Sequence, residues 1–345
     1  MSSPRPAFNA LLAVASVVVV LAGLQAARTV LLPFLFAAVL AIIMLPLVMW
    51  MERNRLPRAV AIVSAVLTVL AGLVLVASFT GQSIQDFGGK LPAYQDALTG
   101  KFDEMLVWLS GWGVDPWALN LQDSFDPGSV MSVVGTTLNG VLEILSNTIL
   151  VTITMAFMLA EASAFPDKLA RAFPDDGASR AGGIGGWREL VTSVQRYLLL
   201  KTMTSALTGV LVLILLSLIG VESPLLWGFL AFVLNFVPTI GSIIAAIPAV
   251  LLALILIGPG AAALTAVGYL AINVGIGNVL EPRLMGEQLG LSPMVVFLSL
   301  VFWGWMWGPA GMLLSVPLTV VLRSVMAHRS ETAWLATLLG PNRVS

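Results

Sequence analysis

Cysteine is absent from the sequence, and histidine occurs once, as His328. The chain therefore has no disulfide and no thiol nucleophile, and it lacks the residues for a Cys/His zinc site or a His-ligated haem. Charge is scarce as well, because only 10% of the 345 residues are charged and the formal net charge is −1. Proteins bind nucleic acid through a concentrated basic face, so we expect no nucleic-acid partner. We also expect no metal and no cofactor.

Apolar residues are abundant instead, at 58% of the sequence. A soluble domain usually carries about 25% charged residues, so this chain lacks the polar surface that solubility requires. The apolar residues form runs of about twenty, the length that a helix needs to cross about 30 Å of hydrocarbon, and they do not alternate as in a β-barrel. We therefore predict an all-α polytopic membrane protein in contact with lipid, with seven or eight spans.

Three spans are predicted before residue 81, and the loop between the second and the third is rich in arginine. The first run is longer than the apolar core of a signal peptide and another follows at once, so we expect an uncleaved span. Arg53, Arg55 and Arg58 lie in the short loop, which the positive-inside rule places in the cytoplasm together with the N-terminus. The spans are Phe8–Ala27, Val30–Met51 and Arg58–Thr80.

Residues 81–135 form the first long polar stretch, and it is acidic, with seven acidic residues against Lys90 and Lys101. An acidic segment fits the extracytoplasmic side. Its apolar residues recur at helical spacing and tryptophans follow, which indicates an amphipathic helix that either rests at the lipid headgroups or packs on its own protein. These residues are Leu91, Tyr94, Leu98, Phe102, Met105, Leu106 and Leu109, then Trp108, Trp112 and Trp117.

The remaining chain divides by the same criteria. Thr136–Ala160 is the fourth span and Thr202–Gly220 the fifth, with a helical cytoplasmic insert between them. A cytoplasmic C-terminus is suggested by Arg323, His328 and Arg329. The predicted regions are the three-span region 1–80, the amphipathic insert 81–135, the fourth span 136–160, the cytoplasmic insert 161–201, the transport core 202–327 and the tail 328–345.

Two apolar stretches are too long for one crossing, and each is interrupted by proline and glycine. Leu225–Ile257 has 33 residues and contains Pro238 and Gly241, and Pro293–Leu322 contains Pro309 and Gly311 in the same order. Proline removes a backbone donor and glycine lets the chain bend, so each stretch is predicted to form a helix–break–helix hairpin. Paired breaks of this kind point to the binding site of a transporter, although two kinked helices without a ligand are the alternative.

A polar signature follows the span Ala261–Leu280, which lies between the two hairpins. A carboxylate in the membrane costs about 3 kcal/mol on insertion scales, so Glu281 is expected to be paired, hydrated or functional. We predict that Pro282 breaks the helix and lets Glu281 pair with Arg283 across the turn. Such a pair acts in gating or proton coupling, or it is a structural ion pair that locks the hairpin to the span.

Uncharged polar groups also lie at the breaks. Asn235, Thr239, Asn273 and Asn278 offer donors and acceptors that suit a small polyhydroxylated ligand. The alternative is hydrogen bonding between helices, which is worth only about 0.6 kcal/mol each. The pair Gly304 and Gly308 is predicted to form a close-packing face, and the tryptophans beside it line a cavity or an interfacial belt. These tryptophans are Trp303, Trp305 and Trp307.

The C-terminal half contains the run GNVLEPRLMGEQLGLSP, followed by FWGWMWGPAGMLLSVPLTVVL. It also contains the earlier run LLWGFLAFVLNFVPTIGSIIAAIP, with an Asn-x-x-Pro-x-x-Gly core. The first closely resembles the closing signature, and the second the other signature, of the autoinducer-2 exporter family of bacterial membrane proteins. The resemblance extends over essentially the whole chain. It implies export of the quorum-sensing furanone autoinducer-2 or sodium(lithium)/proton antiport, and it implies a homo-oligomer.

The acidic residues favour one of these two activities. A cation/proton antiporter needs a buried carboxylate, yet no aspartate follows Asp176, and only Glu281 is well placed, with Glu143 as a second choice. We therefore expect a secondary transporter of the bacterial inner membrane that exports a small neutral solute through a path between the two hairpins. The predicted pathway and gating residues are Asn235, Pro238, Thr239, Gly241, Asn273, Asn278, Glu281, Arg283, Gly308, Pro309 and Gly311.

Two functions from other classes are alternatives to transport. A non-transporting membrane scaffold would recruit partners through residues 161–201, but it has no need for two costly backbone breaks. An enzyme would have to work with scattered Ser, Thr and Glu, because cysteine is absent and the single histidine lies near the C-terminus. We expect no enzymatic activity.

Overall fold

The computed structural model describes residues 5–112, 128, 132, 135–136, 147–162, 168, 186–238, 240–285, 291–327 and 332–340. The regular structure of these residues is helical, as predicted. The helices are α1 (Arg5–Ala26), α2 (Arg28–Arg53), α3 (Arg58–Ser110), α4 (Thr148–Ala162), α5 (Gly186–Ile219), α6 (Pro224–Leu234), α7 (Ile240–Leu256), α8 (Pro259–Asn273), a π-helical segment (Val274–Leu280), α9 (Glu281–Met285), α10 (Pro293–Ala327) and α11 (Ala333–Leu338).

Five helical stretches in the described residues are long and apolar enough to cross a membrane. They are Arg28–Arg53, Arg58–Val76, Val191–Ile219, Pro259–Leu284 and Pro293–Ala327. Shorter apolar helices accompany them, at Val14–Ala26, Thr148–Ala162, Pro224–Leu234 and Ile240–Leu256. Large apolar side chains on these helices are exposed, Val19 to 70% and Leu218 to 82%, as expected of surfaces that face lipid. The polytopic helical fold is confirmed.

The chain divides into two compact units. One comprises Met1–Thr68, Asn147–Gln195 and Gly290–Ser345, and the other comprises Val69–Ser146 and Arg196–Leu289. Each unit contains one of the two interrupted apolar stretches, so the predicted hairpins belong to different units.

In the first unit, α2 packs against α4. The buried positions of α2 include Ala37, Ala41 and Val48, which recur at helical spacing, and those of α4 include Met155 and Leu159. At the end of α4, an arginine beyond α2 satisfies two backbone carbonyls: Arg58 Nη2 donates to Leu159 O at 3.1 Å and to Ala160 O at 2.7 Å. Its positive charge also suits the negative end of the helix dipole.

In the second unit, α7 packs against α6 and α8 around the fully buried Trp227. Phe87, Tyr94 and Leu98 of α3 belong to the same core. The Phe87 ring meets Trp227 edge-on, with ring centroids 5.2 Å apart. Leu91, Tyr94 and Leu98 of the predicted amphipathic stripe therefore pack on their own protein, which decides between the two alternatives for this part of the insert.

The boundary predicted at residue 80 is not a helix end. Because no proline occurs between Arg58 and Leu91, α3 continues without interruption from its apolar part into the insert and tolerates Pro92 within it. Likewise, α5 joins the end of the cytoplasmic insert and the fifth span in one helix. The rest of the extracytoplasmic insert, including Trp117, and most of residues 163–185 lie outside the described residues.

Part of the predicted C-terminal tail is folded. Helix α11 packs against α10, and Arg323 Nε donates to Ala336 O at 3.3 Å. The Ser292 N–H donates to Leu339 O at 3.1 Å, which joins the chain before α10 to the end of α11. His328 and Arg329 lie outside the described residues.

Candidate functional site

The first predicted break is present between α6 and α7. Helix α6 ends at Leu234, a turn begins at Asn235, and α7 starts at Ile240. A Cβ atom on Gly241 would overlap the carbonyl oxygen of Leu234. Only glycine allows the second helix to begin this close to the end of the first. Thr239, which is part of this predicted site, lies outside the described residues.

The second predicted break is present inside α10, at Gly308. Its backbone angles, φ 66° and ψ −149°, are not helical, and Pro309 follows directly. A Cβ atom on Gly311 would overlap the carbonyl oxygen of Trp303. The two turns have the same local geometry. A Cβ atom on Gly241 would also lie 3.0 Å from the Cβ atom of Val237, four residues earlier. A Cβ atom on Gly311 would likewise lie 3.0 Å from the Cβ atom of Trp307, also four residues earlier.

The pair Gly304 and Gly308 does not form the predicted close-packing face. A Cβ atom on Gly304 would lie 2.8 Å from Met312 Cε, but no atom of the described residues lies within 4 Å of the corresponding position on Gly308. Gly308 is instead the residue at which the helix breaks, since its positive φ favours glycine.

The tryptophans at the second break face different ways, as their alternation predicts. The rings of Trp303 and Trp307, one turn apart, have centroids 4.9 Å apart. Trp303 Nε1 donates to Thr319 Oγ1 at 3.1 Å and Trp307 Nε1 donates to Leu24 O at 3.1 Å, whereas Trp305 is 63% exposed. The first two are held in the protein by hydrogen bonds, and only Trp305 is available to an interfacial belt.

A buried ion pair in the second unit replaces the predicted pair of Glu281 and Arg283. Lys201 Nζ lies 2.6 Å from Glu281 Oε1, and the two side chains are 5% and 16% exposed. Glu281 is therefore paired with a residue 80 positions earlier, on α5, and Arg283 is exposed. Residues two apart on a helix point to different sides, so a continuous helix here separates Glu281 from Arg283.

The helix does not break at Pro282, because it widens just before that residue. Val274–Leu280 is a π-helical segment, and the Glu281 N–H donates to Ile276 O, five residues earlier. The wider turn accommodates Pro282, which has no N–H to donate, and helical structure continues to Met285. Asn273 is partly buried at the start of this segment, and Asn278 is exposed within it.

Buried polar residues recur along one side of α5, and we call them the polar face of α5. They lie at helical spacing, so one face of a membrane helix is polar and closed to lipid. Asn235 joins the first break to this face, since its Nδ2 donates to Ser205 Oγ at 3.0 Å. The residues are Tyr197, Lys201, Thr204, Ser205 and Thr208.

Sequence reasoning missed this face. The boundary predicted after residue 201 places Lys201 in the cytoplasmic insert and the hydroxyl residues in the fifth span, so it separates members of one face. The signal was present in the spacing, because Tyr197, Lys201, Thr204, Ser205 and Thr208 repeat at helical intervals within an apolar stretch.

The backbone of α5 approaches the first hairpin closely. A Cβ atom on Gly209 would lie 2.7 Å from Gly228 O, and one on Gly228 would lie 2.8 Å from Gly209 O. These glycines let α5 and α6 cross in contact, as small residues do between membrane helices. The crossing lies one residue beyond Thr208, so it holds the polar face of α5 next to the hairpin.

Helix α5 also runs antiparallel to α8 and the π-helical segment. Two contacts show this direction. Lys201 pairs with Glu281, and Leu215 Cδ2 would lie 2.5 Å from a Cβ atom on Gly268. Leu215 comes fourteen residues after Lys201, whereas Gly268 comes thirteen residues before Glu281. The π-helical segment therefore lies alongside the part of α5 that carries Ser205 and Thr208. Asn235 and Glu281 are thus brought to the same helix, while Gly308, Pro309 and Gly311 form the break of the other unit.

A polar cluster outside the spans fixes the start of the first hairpin. Lys90 Nζ donates to Glu222 Oε1 at 2.9 Å, and Tyr94 OH donates to Oε2 at 2.7 Å. Trp227 Nε1 donates to Glu222 O at 3.0 Å. The hydrogen bonds from Lys90 and Tyr94 hold the pKa of the Glu222 carboxyl below its ordinary value, and burial raises the pKa of Tyr94.

The comparison with known proteins agrees with the resemblance seen in the sequence. The family model described as "AI-2E family transporter" matches residues 14–331. The chain is 36% identical over 322 residues to "AI-2 transport protein TqsA" of Escherichia coli K12, which covers 93% of this chain and 92% of that protein.

Two further bacterial relatives are similar over nearly their full lengths. "Putative transport protein YhhT" of the same strain is 37% identical over 99% of this chain and 98% of its own. A "Putative transport protein" of Haemophilus influenzae is 39% identical over 96% of this chain and 95% of its own length. The helices, the two breaks and these similarities lead to one conclusion: this multi-pass membrane protein belongs to the AI-2E family of transporters.

Proposed function

We propose that this protein exports a small, neutral, polar solute of the autoinducer-2 type across the bacterial inner membrane. The similarity to TqsA, a relative named as an AI-2 transport protein and aligned over 92% of its length, supports this class of solute. The other relatives named here are described only as transport proteins, so the chemistry of the site has to carry the choice of substrate.

The observation that carries the proposal is the neutral part of the polar face of α5. Thr204 Oγ1 donates to Lys201 O at 3.1 Å and Thr208 Oγ1 donates to Thr204 O at 3.0 Å, while Ser205 Oγ accepts from Asn235. A hydroxyl that donates to its own helix keeps acceptor lone pairs, and a serine hydroxyl that accepts still has a proton to donate. Neutral donors and acceptors of this kind suit the hydroxyls of a small solute.

The broken hairpin explains why these groups lie in a membrane helix. Irregular backbone at membrane depth is tolerated where it is buried in protein or lines a water-filled cavity, and transporters use such breaks to bind substrates. Asn235 lies at the break and bonds to Ser205, so an opening of the turn would free both side chains for a solute. Opening of the turn would therefore make the hydroxyl groups of the polar face of α5 accessible to a solute.

The test uses purified protein in proteoliposomes loaded with labelled autoinducer-2. We expect efflux above that of empty liposomes, and we expect Ser205→Ala and Asn235→Ala to slow it about three- to tenfold, since each removes a hydrogen-bonding group worth about 1 kcal/mol. The matched control is Ser217→Ala on the same helix, whose hydroxyl donates to Leu213 O on an exposed face. Efflux from the unchanged protein no faster than from empty liposomes would refute the proposal.

Sodium(lithium)/proton antiport is a second candidate, favoured by one specific observation. The Lys201–Glu281 pair places two ionisable groups in the membrane at 2.6 Å, and a carboxylate of this kind can exchange a cation for a proton. A lumenal pH dye during sodium or lithium pulses distinguishes the two functions. A cation-dependent pH change that Glu281→Gln abolishes would favour antiport. No pH change on adding sodium or lithium, together with continued efflux of the furanone, would favour the exporter.

A further inference from the structure

The ion pair between α5 and α9 is supported by packing of α5 on its neighbours, at positions 8 and 14 residues beyond Lys201. The Lys201 side chain is 5% exposed and that of Glu281 is 16% exposed, with Nζ and Oε1 2.6 Å apart. The contact of Leu215 with Gly268 and the crossing of Gly209 with Gly228 fix α5 against its neighbours. The lysine is therefore not a mobile surface charge that comes to the carboxylate by chance.

The ammonium group lies where a bound cation would lie. Na⁺, Li⁺ and a proton all bind to carboxylate oxygens, and each carries the same single positive charge as Lys201. A cation entering from solution would have to displace the ammonium and leave it in a buried site without a counter-charge, which is strongly unfavourable. Within the described residues, Lys201 on α5 pairs with Glu281, and Arg283, two residues after Glu281, is exposed. The buried Tyr197, one turn before Lys201, interacts electrostatically with Glu281.

We propose that Lys201 is a tethered counter-cation that excludes Na⁺, Li⁺ and protons from Glu281, and so makes solute transport by this protein independent of cations. The inference rests on the proposed export function for its transport consequence, but its cation-binding part is independent of any solute. It also assigns ion selectivity to a residue outside the two hairpins. Removal of the ammonium alone converts Glu281 into an open cation site.

The experiment measures thermal unfolding of the purified protein in lipid nanodiscs, in sodium, lithium or choline chloride at equal ionic strength. For the unchanged protein we expect the same unfolding midpoint in all three salts. For Lys201→Gln we expect sodium or lithium to raise the midpoint by about 3 °C or more over choline, because the Glu281 carboxylate, no longer paired with an ammonium group, then binds the metal ion. The matched control is Lys201→Gln combined with Glu281→Gln, in which the effect disappears.

Three outcomes would overturn the proposal. The first is a sodium- or lithium-specific rise in the midpoint of the unchanged protein that Glu281→Gln removes, because Glu281 would then bind cations in the native protein. The second is a folded Lys201→Gln protein whose midpoint is the same in all three salts. The third is the same salt-specific rise in the double variant.

A charge-reversed pair keeps the test valid if Lys201→Gln does not fold. Lys201→Glu combined with Glu281→Lys retains one ammonium and one carboxylate, and we expect it to unfold independently of the cation. A sodium-specific rise in this variant would also count against the proposal. None of these readouts uses labelled autoinducer-2, so a failure of the export assay and a failure of this inference remain distinguishable.

Discussion

Asn235, at the break of the first hairpin, donates its side-chain amide to Ser205 in the middle of α5 at 3.0 Å. This single bond joins the irregular backbone of the hairpin to the buried polar face of α5. Because the same face carries Lys201 and its partner Glu281, the break, the neutral hydroxyls and the ion pair form one connected polar region in the second unit.

The two glycines that follow the breaks are predicted to be irreplaceable. A methyl group on Gly241 or Gly311 would overlap a backbone carbonyl oxygen, which cannot move without opening the turn. We expect Gly241→Ala and Gly311→Ala each to cost about 3 kcal/mol or more, measured as a lower thermal unfolding midpoint and reduced yield of folded protein. The control is Gly260→Ala in α8, where the part of the chain that the structure describes has no atom within 4 Å of the added carbon. A large loss there as well would contradict the steric explanation.

The Glu222 cluster is predicted to lose its contribution to stability in acid. The folded pKa of this carboxyl lies below its ordinary value, so the stabilisation is complete above about pH 4.3, the ordinary value, and is lost as the pH falls through the lower folded pKa. Because Lys90 and Glu222 are about half exposed, we expect at most about 1 kcal/mol. Hydrogen exchange of the insert part of α3, between pH 3 and 7, measures it.

Two variants separate the parts of this cluster. Glu222→Gln should weaken protection of α3 at neutral pH and remove the loss on acidification. Tyr94→Phe should remove one hydrogen bond to the carboxylate but keep the ring in the core of the second unit. Acid-dependent exchange that persists unchanged in Glu222→Gln would show that another group is responsible.

Arg58 is predicted to stabilise the end of α4. Arg58→Met leaves the carbonyls of Leu159 and Ala160 without this donor and removes a positive charge from a helix C-terminus, so we expect a loss of about 1–3 kcal/mol. Denaturant unfolding in detergent measures it. The matched control is Arg53→Met, an exposed arginine at the end of α2, for which we expect less than about 0.5 kcal/mol; equal losses would contradict a specific role for Arg58.

The predicted orientation can be tested by cysteine labelling without background from native cysteines, because the chain has none. Asn54 lies in the arginine-rich loop before α3, and Trp112 lies just beyond the other end of this helix. Both residues are exposed, and each is replaced by cysteine in turn. If the N-terminus is cytoplasmic, an impermeant maleimide should label Trp112→Cys in intact spheroplasts and Asn54→Cys only in inverted vesicles. The opposite labelling pattern would reverse the predicted orientation.

Local sequence patterns were sufficient for the helices and for both breaks. Apolar runs of about twenty residues correspond to helices because a membrane span must satisfy its own backbone hydrogen bonds. The breaks at Pro238 and Pro309 could be located because proline and glycine act on the backbone of their own and neighbouring turns. The steric need for Gly241 and Gly311 follows from contacts only seven and eight residues away in the chain, Leu234 and Trp303.

What the sequence left open required contacts between distant segments. The partner of Glu281 is Lys201 rather than Arg283, because a π-helical segment carries the helix past Pro282 and turns the carboxylate toward α5. The stripe around Tyr94 packs on Trp227 and its neighbours, although the same periodicity would suit a helix at the headgroups. Periodicity determines which residues share a face, but only tertiary packing decides what covers that face, since the covering groups come from elsewhere in the chain.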